Sequence, residues 1–239
     1  MADCFFCSFA ALIGQWSETR SCMSTVYFIS GLGADERMFQ FLHIKCRNKV
    51  YVRWIQPFDN EPLHDYAVRL AGQITEPNPV LVGMSFGGVV AIELAKFLKP
   101  CKTILISSIA SSRILPWYYR LMGFLRLHRI IPVSWLKRFH FVGPLLFGAS
   151  TKAEKVLLKQ VILETDPHFL RWAIGQLLNW QQPDHYENAV MIHGTADRIL
   201  PMSTYPGIIK VKRAGHLMVL SHASEISAIL DKILEDCET

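Results

Sequence analysis

Apolar residues recur along this chain in two rhythms. Six short, nearly continuous apolar runs, at residues 25–30, 50–55, the stretch after Pro79 that leads into Gly83, 103–108, 189–193 and 207–211, read as strands. Between them, apolar spacings of three and four predict helices. One covers residues 37–45, with Asp35 as its N-cap. Another opens at Pro62 and gathers Leu63, Tyr66, Ala67, Leu70, Ala71 and Ile74 on one face. A third runs from Phe86 to Leu98, and a last amphipathic helix presents Ile226, Ile229, Leu230, Ile233 and Leu234 together. Strands alternating with helices imply right-handed crossovers between parallel strands. The expected fold is α/β: an open, mostly parallel sheet with helices on both faces. Ligands in such sheets gather at the carboxyl ends of the strands. Ser30, Ser85, Ser108 and His193 fall at or just past those ends and are expected to cluster there.

The rhythm breaks between residues 113 and 187. This interval has helical patches, no strand candidate and a dense aromatic set that includes Trp117, Tyr118, Tyr119, Phe124, Trp135, Phe139, Phe141, Phe147, Trp172 and Trp180. An all-helical insertion between two strands is expected to lie over the strand ends as a lid. The division is therefore a core of residues 23–112 and 188–239, a helical lid insertion at 113–187, and an N-terminal extension at 1–22. The extension has a short apolar stretch at 5–14, but no Lys or Arg precedes it and no small-residue cleavage site follows. It is a poor signal peptide and is expected to carry no chemistry.

Length and charge narrow the field. At 239 residues the chain fits one domain with a full core. Hydrophobic residues make up 51%, yet no run of 18 is free of charges or breakers, so no membrane span is expected. The net charge of +5 is uneven: residues 113–159 hold nine Lys or Arg against one acidic residue, Glu154. One basic region on an otherwise slightly acidic chain argues against a nucleic-acid binder. It suggests instead an anionic surface, such as a lipid headgroup layer or an acyl-carrier protein, as a partner at the lid. The six cysteines follow no disulfide rhythm, which suggests a reducing, cytoplasmic setting. The Cys4–Cys7 pair has no second pair to complete a zinc site. The oligomeric state is open.

The stretch Gly83-Met84-Ser85-Phe86-Gly87-Gly88 sits between a predicted strand and a predicted helix. A serine on such a turn is held in a strained conformation with its hydroxyl above the sheet, and glycines relieve crowding beside it. The helix that begins at Phe86 supplies a positive dipole end and a free N–H near any developing oxyanion. A serine hydroxyl needs a base, and the base needs an orienting carboxylate. Asp197 follows a strand within Ile192-His193-Gly194-Thr195-Ala196-Asp197-Arg198-Ile199-Leu200-Pro201, and His216 follows the last strand within Ala214-Gly215-His216. His193 is expected to support the acid loop, Asp35 to cap a helix, and His64 and His222 to lie at the surface. No Cys, Asp or Glu stands in place of Ser85. No His-x-x-x-His pair suggests a metal, and Gly31-Leu32-Gly33 lacks the third glycine of a dinucleotide fingerprint.

These three motifs, in the order Ser, Asp, His, make the chain resemble the α/β-hydrolase superfamily, specifically its small lidded members, over residues 25–237. The resemblance implies Ser85 as nucleophile, His216 as base, Asp197 as orienting acid, and an oxyanion hole formed by the backbone N–H groups of Leu32 and Phe86. Where the family usually carries His-Gly ahead of the second donor, this chain has Ser30-Gly31. The implied activity is hydrolysis of a small-molecule carboxylic ester with an apolar acyl part, through an acyl-enzyme and without cofactor or metal. Two alternatives stay open. One is a lyase or synthase on the same triad, of the hydroxynitrile-lyase or menaquinone-pathway kind. The other is an esterase acting on acyl-carrier-bound methyl esters, since the family includes one with a basic lid.

Overall fold

The computed structural model describes residues 25–46, 48–130, 141–182, 184, 186–202 and 207–235. The N-terminal extension, the Cys4–Cys7 pair, Trp135 and Phe139 lie outside the described residues.

Six strands form one sheet among the described residues: β1 (Val26–Ile29), β2 (Lys49–Val52), β3 (Val80–Met84), β4 (Lys102–Ile106), β5 (Ala189–Gly194) and β6 (Ile209–Val211). Their order is β2-β1-β3-β4-β5-β6 and every pairing is parallel. Because successive side chains point to opposite faces, β1 sends Val26 and Phe28 into one core layer and Tyr27 and Ile29 into the other. On the Tyr27 side pack α1 (Leu63–Leu70) and α2 (Phe86–Leu98). On the Phe28 side packs α9 (Ala223–Glu235), preceded by the short α8 (Met218–Ser221). The chain winds from β1 out to β2, then back across β1 to β3. The loops after β1 and β3 are therefore neighbours at the point where the winding reverses.

Between β4 and β5 the described residues are helical: α3 (Trp117–Phe124), α4 (Leu127–Ile130), α5 (Gly143–Phe147), α6 (Lys152–Glu164) and α7 (Pro167–Leu178). Local chemistry starts two of them. Thr151 and Glu154 form a reciprocal capping box on α6, and Asp166 caps α7 with Pro167 in its first turn.

One expectation fails. Residues 37–45 do not form a helix; a short 3₁₀ turn, Glu36–Phe39, is capped by Asp35, and the chain then runs extended. Leu42, Ile44 and Cys46 point inward while Phe41, His43 and Lys45 point out. The N–H groups of His43 and Lys45 donate to Ser227 Oγ and Asp231 Oδ1 of α9. Tertiary hydrogen bonds thus replace the helix ladder, and an alternation of two wins over one of three to four. Helix α1 also ends earlier than its apolar spacing suggests, at Leu70, with a 3₁₀ turn at Ala71–Gln73.

A buried carboxylate ties the inserted helices to the core. Glu93 of α2 is 4% exposed; its Oε1 accepts from Trp180 Nε1 at 2.7 Å and Lys96 Nζ at 2.6 Å. Glu93→Ala leaves the buried Trp180 N–H without an acceptor and is expected to cost about 2 kcal/mol in urea unfolding. Glu93→Gln keeps an acceptor oxygen and is expected to lose less than half as much.

Candidate active site

Ser85 stands between β3 and α2 at φ 53°, ψ −122°, a region costly for any residue with a side chain. Three hydrogen bonds fix it there. Its N–H donates to Ile106 O at 2.9 Å, and its carbonyl accepts from Gly88 N at 3.0 Å and from Ser108 Oγ at 2.6 Å. The flanking glycines are steric necessities. A Cβ on Gly87 would collide with the Ile29 and Ser30 carbonyls, and one on Gly83 would sit 2.5 Å from Gly88 Cα.

The structure brings the three expected side chains together. Ser85 Oγ lies 2.9 Å from His216 Nε2, and His216 Nδ1 lies 2.8 Å from Asp197 Oδ2. The carboxylate accepts from Nδ1, so the Nε2 lone pair is left facing the serine hydroxyl. His216 is 1% exposed and its ring meets Phe147 of α5 edge-on, with centroids 5.6 Å apart. Asp197 is 6% exposed and hydrogen-bonded on both oxygens; Oδ1 accepts from the N–H groups of Ile199 and Leu200, each at 2.9 Å. Burial pushes this carboxyl up, but hydrogen bonds from His193 and His216 outweigh it, so the group sits well below the usual carboxylate range.

His193 is placed as support. Its Nε2–H donates to Leu200 O at 2.7 Å and lies 3.4 Å from Asp197 Oδ2. Asp35 takes the Arg37 guanidinium on both oxygens while capping the 3₁₀ turn, well occupied as a surface pair. His64 is exposed; His222 is half-buried against Ser221 Oγ.

Leu32 and Phe86, the expected oxyanion donors, line the same cavity as Ser85 and His216. Phe86 is the first residue of α2, where N–H groups have no carbonyl partner within the helix. Behind Leu32, where the family usually has a histidine, Ser30 Oγ donates to Ala34 O, and Trp54 Nε1 donates to Gly31 O at 3.2 Å. No local motif signals the Trp54 contact, which joins residues 23 positions apart.

The cavity encloses about 570 Å³ and is mostly apolar, with Met38, Met122, Leu146, Val161, Ile174 and Leu178 among its walls. Most of these come from the helices between β4 and β5. Those helices are anchored to all three loops of the site. Thr165 Oγ1 donates to Gly33 O at 3.2 Å, Tyr119 OH donates to Ile199 O at 3.0 Å, and Leu217 N donates to Phe147 O at 3.1 Å. Gly33, at φ 67°, has no room for a Cβ against Thr165.

A parallel sheet with this winding and a strand–serine–helix turn at its reversal defines an α/β-hydrolase fold. The chain belongs to the alpha/beta hydrolase family, whose sequence pattern matches residues 26–229. Among solved structures it is similar to a thermophilic esterase from Thermogutta terrifontis, at 19% identity over 90% of this chain and 91% of that one, with a TM-score of 0.63. It is also similar to an esterase from Exiguobacterium antarcticum and to a bromoperoxidase from Bacillus anthracis. Each of these is 15% identical over 89% of this chain and 92% of its own, with a TM-score of 0.63. Identities this low speak for the fold alone. No curated protein matches the chain.

The depressed Asp197 carboxyl gives a signed prediction. A group held below its unfolded value adds stability that is present above about pH 4 and is lost as pH falls below it. Asp197→Asn is therefore expected to be less stable than wild type at neutral pH, with the gap narrowing below about pH 4 in urea titrations. A gap that stays constant with pH would contradict the assignment.

Proposed function

We propose that the protein is a serine carboxylic-ester hydrolase working through an acyl-enzyme. The observation that carries this reading is the unbroken hydrogen-bond chain from Ser85 Oγ through His216 to Asp197, set in the wall of an apolar cavity. Ser85 Oγ attacks the acyl carbonyl as His216 Nε2 takes its proton. The carbonyl oxygen, now an oxyanion, is received by the N–H groups of Leu32 and Phe86, each donor contributing on the order of 3 kcal/mol. The intermediate collapses, the C–O bond to the alcohol breaks, and His216 returns the proton to the departing oxygen. Water, deprotonated by the same imidazole, then attacks the acyl-serine; the bond from the acyl carbon to Ser85 Oγ breaks, His216 returns the proton to that oxygen, and the acid leaves. Asp197 holds the imidazole with Nδ1–H toward itself throughout. The helices between β4 and β5 act as the lid over this cavity and shape an apolar acyl pocket.

Ser85→Ala is expected to lower hydrolysis of 4-nitrophenyl butyrate by about 10⁴-fold or more, measured by 4-nitrophenolate release. Turnover that survives the substitution would remove Ser85 from its role. A lyase using the same three groups would move a proton without acylating the serine. Intact-mass spectrometry on a slowly deacylating ester separates the two: the expected result is an acyl adduct on the peptide carrying Ser85.

A further inference from the structure

Helix α3 is apolar on two sides. Its inner side is occupied: Tyr119 and Met122 line the cavity beside Ser85, and Gly123 lies so close to α7 that a Cβ would sit 2.6 Å from Leu178 O. Trp117, Leu121, Phe124 and Leu125 recur at spacings of four, three and one, which places them on the opposite side of the helix. Leu125 belongs with them because its N–H still donates to Leu121 O at 2.9 Å. All four are exposed, Phe124 at 82% and Trp117 at 68%. Tyr118, whose ring meets Trp117 edge-on, is exposed beside them. Single large apolar side chains at a surface are ordinary, but a run of them along one helix face marks a docking surface.

The charges around this face have one sign. Arg113 precedes the helix, Arg120 lies on its flank, Arg126 stands in the turn that ends it and Arg129 on α4, all of them exposed. Among the described residues none of the four forms an ion pair. No Asp or Glu occurs from residue 113 to residue 153. A second copy of the same face would bring these like charges together, which disfavours self-association through it. An anionic lipid surface suits both features at once. Its acyl boundary takes aromatic and leucine side chains, and its phosphates take the guanidinium groups that flank them.

We propose that the outer face of α3 docks the protein on an anionic lipid surface. Trp117, Leu121, Phe124 and Leu125 enter the acyl boundary, and Arg120, Arg126 and Arg129 meet the headgroups. Docked in this way, the cavity wall formed by Tyr119 and Met122 lies one helix away from the bilayer. The proposal stands apart from the ester-hydrolase reading, because binding is read without catalysis.

The test sediments the full chain with vesicles of phosphatidylcholine containing about 30% phosphatidylglycerol, and with vesicles of phosphatidylcholine alone. Partitioning is expected to be about tenfold or more stronger on the anionic vesicles, and to weaken by as much in about 0.5 M salt. Trp117→Ser/Phe124→Ser is expected to bind the anionic vesicles about tenfold or more weakly. Arg120→Gln/Arg126→Gln/Arg129→Gln is expected to lose about tenfold or more of the preference for them. Every substituted side chain is exposed, and urea unfolding verifies that each variant folds. Lipids brominated on their acyl chains are expected to quench part of the tryptophan emission, and Trp117→Phe to abolish that part while still binding. No partitioning, or equal partitioning onto both kinds of vesicle, would overturn the proposal. So would partitioning that the substitutions leave unchanged, which would give membrane binding to another part of the chain. Binding to an acyl-carrier protein but not to vesicles, or a dimer that forms without them and dissociates in Trp117→Ser/Phe124→Ser, would assign the face to a protein instead.

Discussion

The backbone of Ser85 is where sheet, helix and chemistry are forced to agree. At φ 53° and ψ −122° the residue occupies a conformation that local preference resists by an amount on the order of 1–3 kcal/mol. It persists because neighbours on three elements hold its N–H and carbonyl: Ile106 from the adjoining strand, Gly88 from the following helix and Ser108 from the loop after β4. The glycines at 83, 87 and 88 are the other half of the constraint. Without them, strand β1, strand β3 and helix α2 could not approach closely enough to supply those partners. A turn fixed in this way aims one hydroxyl and one helix N–H into the same space.

Topology brings the remaining groups there. Because the winding reverses between β1 and β3, the loop carrying Leu32 adjoins the serine turn, while the loops after β5 and β6 carry Asp197 and His216 toward the same edge. The helices between β4 and β5 are joined to each of these loops by a separate contact: Thr165 to Gly33, Tyr119 to Ile199, Phe147 to Leu217. Displacing them would disturb the loops that carry Leu32, Asp197 and His216 together. The cavity walls and the side chains of Ser85, Asp197 and His216 therefore form one mechanical unit, in which cavity shape and the alignment of the three are coupled.

Much of this was legible in the order of residues. Ser85, Asp197 and His216 each follow a recognisable strand, with Gly83, Gly194 and Gly215 within three residues of them, so their convergence followed from the α/β winding. The support role of His193 was legible for the same reason, since it ends the strand that delivers Asp197. The contacts that shape the cavity were not. Trp54, Tyr119 and Thr165 act through positions more than twenty residues from their partners, and no local spacing encodes such a bond. The failed helix at 37–45 has a related cause. Leu42 to Cys46 alternates apolar and polar residues, but the partners that hold it extended are side chains of α9 nearly two hundred residues later, which no local spacing encodes.

Asp197 keeps its charge although it is buried. A carboxylate this buried is costly unless its oxygens are all engaged. Here Oδ1 takes two backbone N–H groups, and Oδ2 takes His216 and lies near His193. Among the described residues His193 Nδ1 has no partner, so the tautomer that fits carries its hydrogen on Nε2, toward Leu200 O and Asp197. Asp197 thus presents a fixed negative charge to the ring nitrogen opposite the one that meets the serine. In the proposed mechanism, the positive charge that forms when His216 takes a proton from Ser85 arises beside a carboxylate already oriented to receive it, with little solvent to reorganise. Removing the carboxylate's charge while keeping its shape would leave the distances intact and the imidazolium uncompensated. That separates the electrostatic contribution of Asp197 from its part in holding the loop.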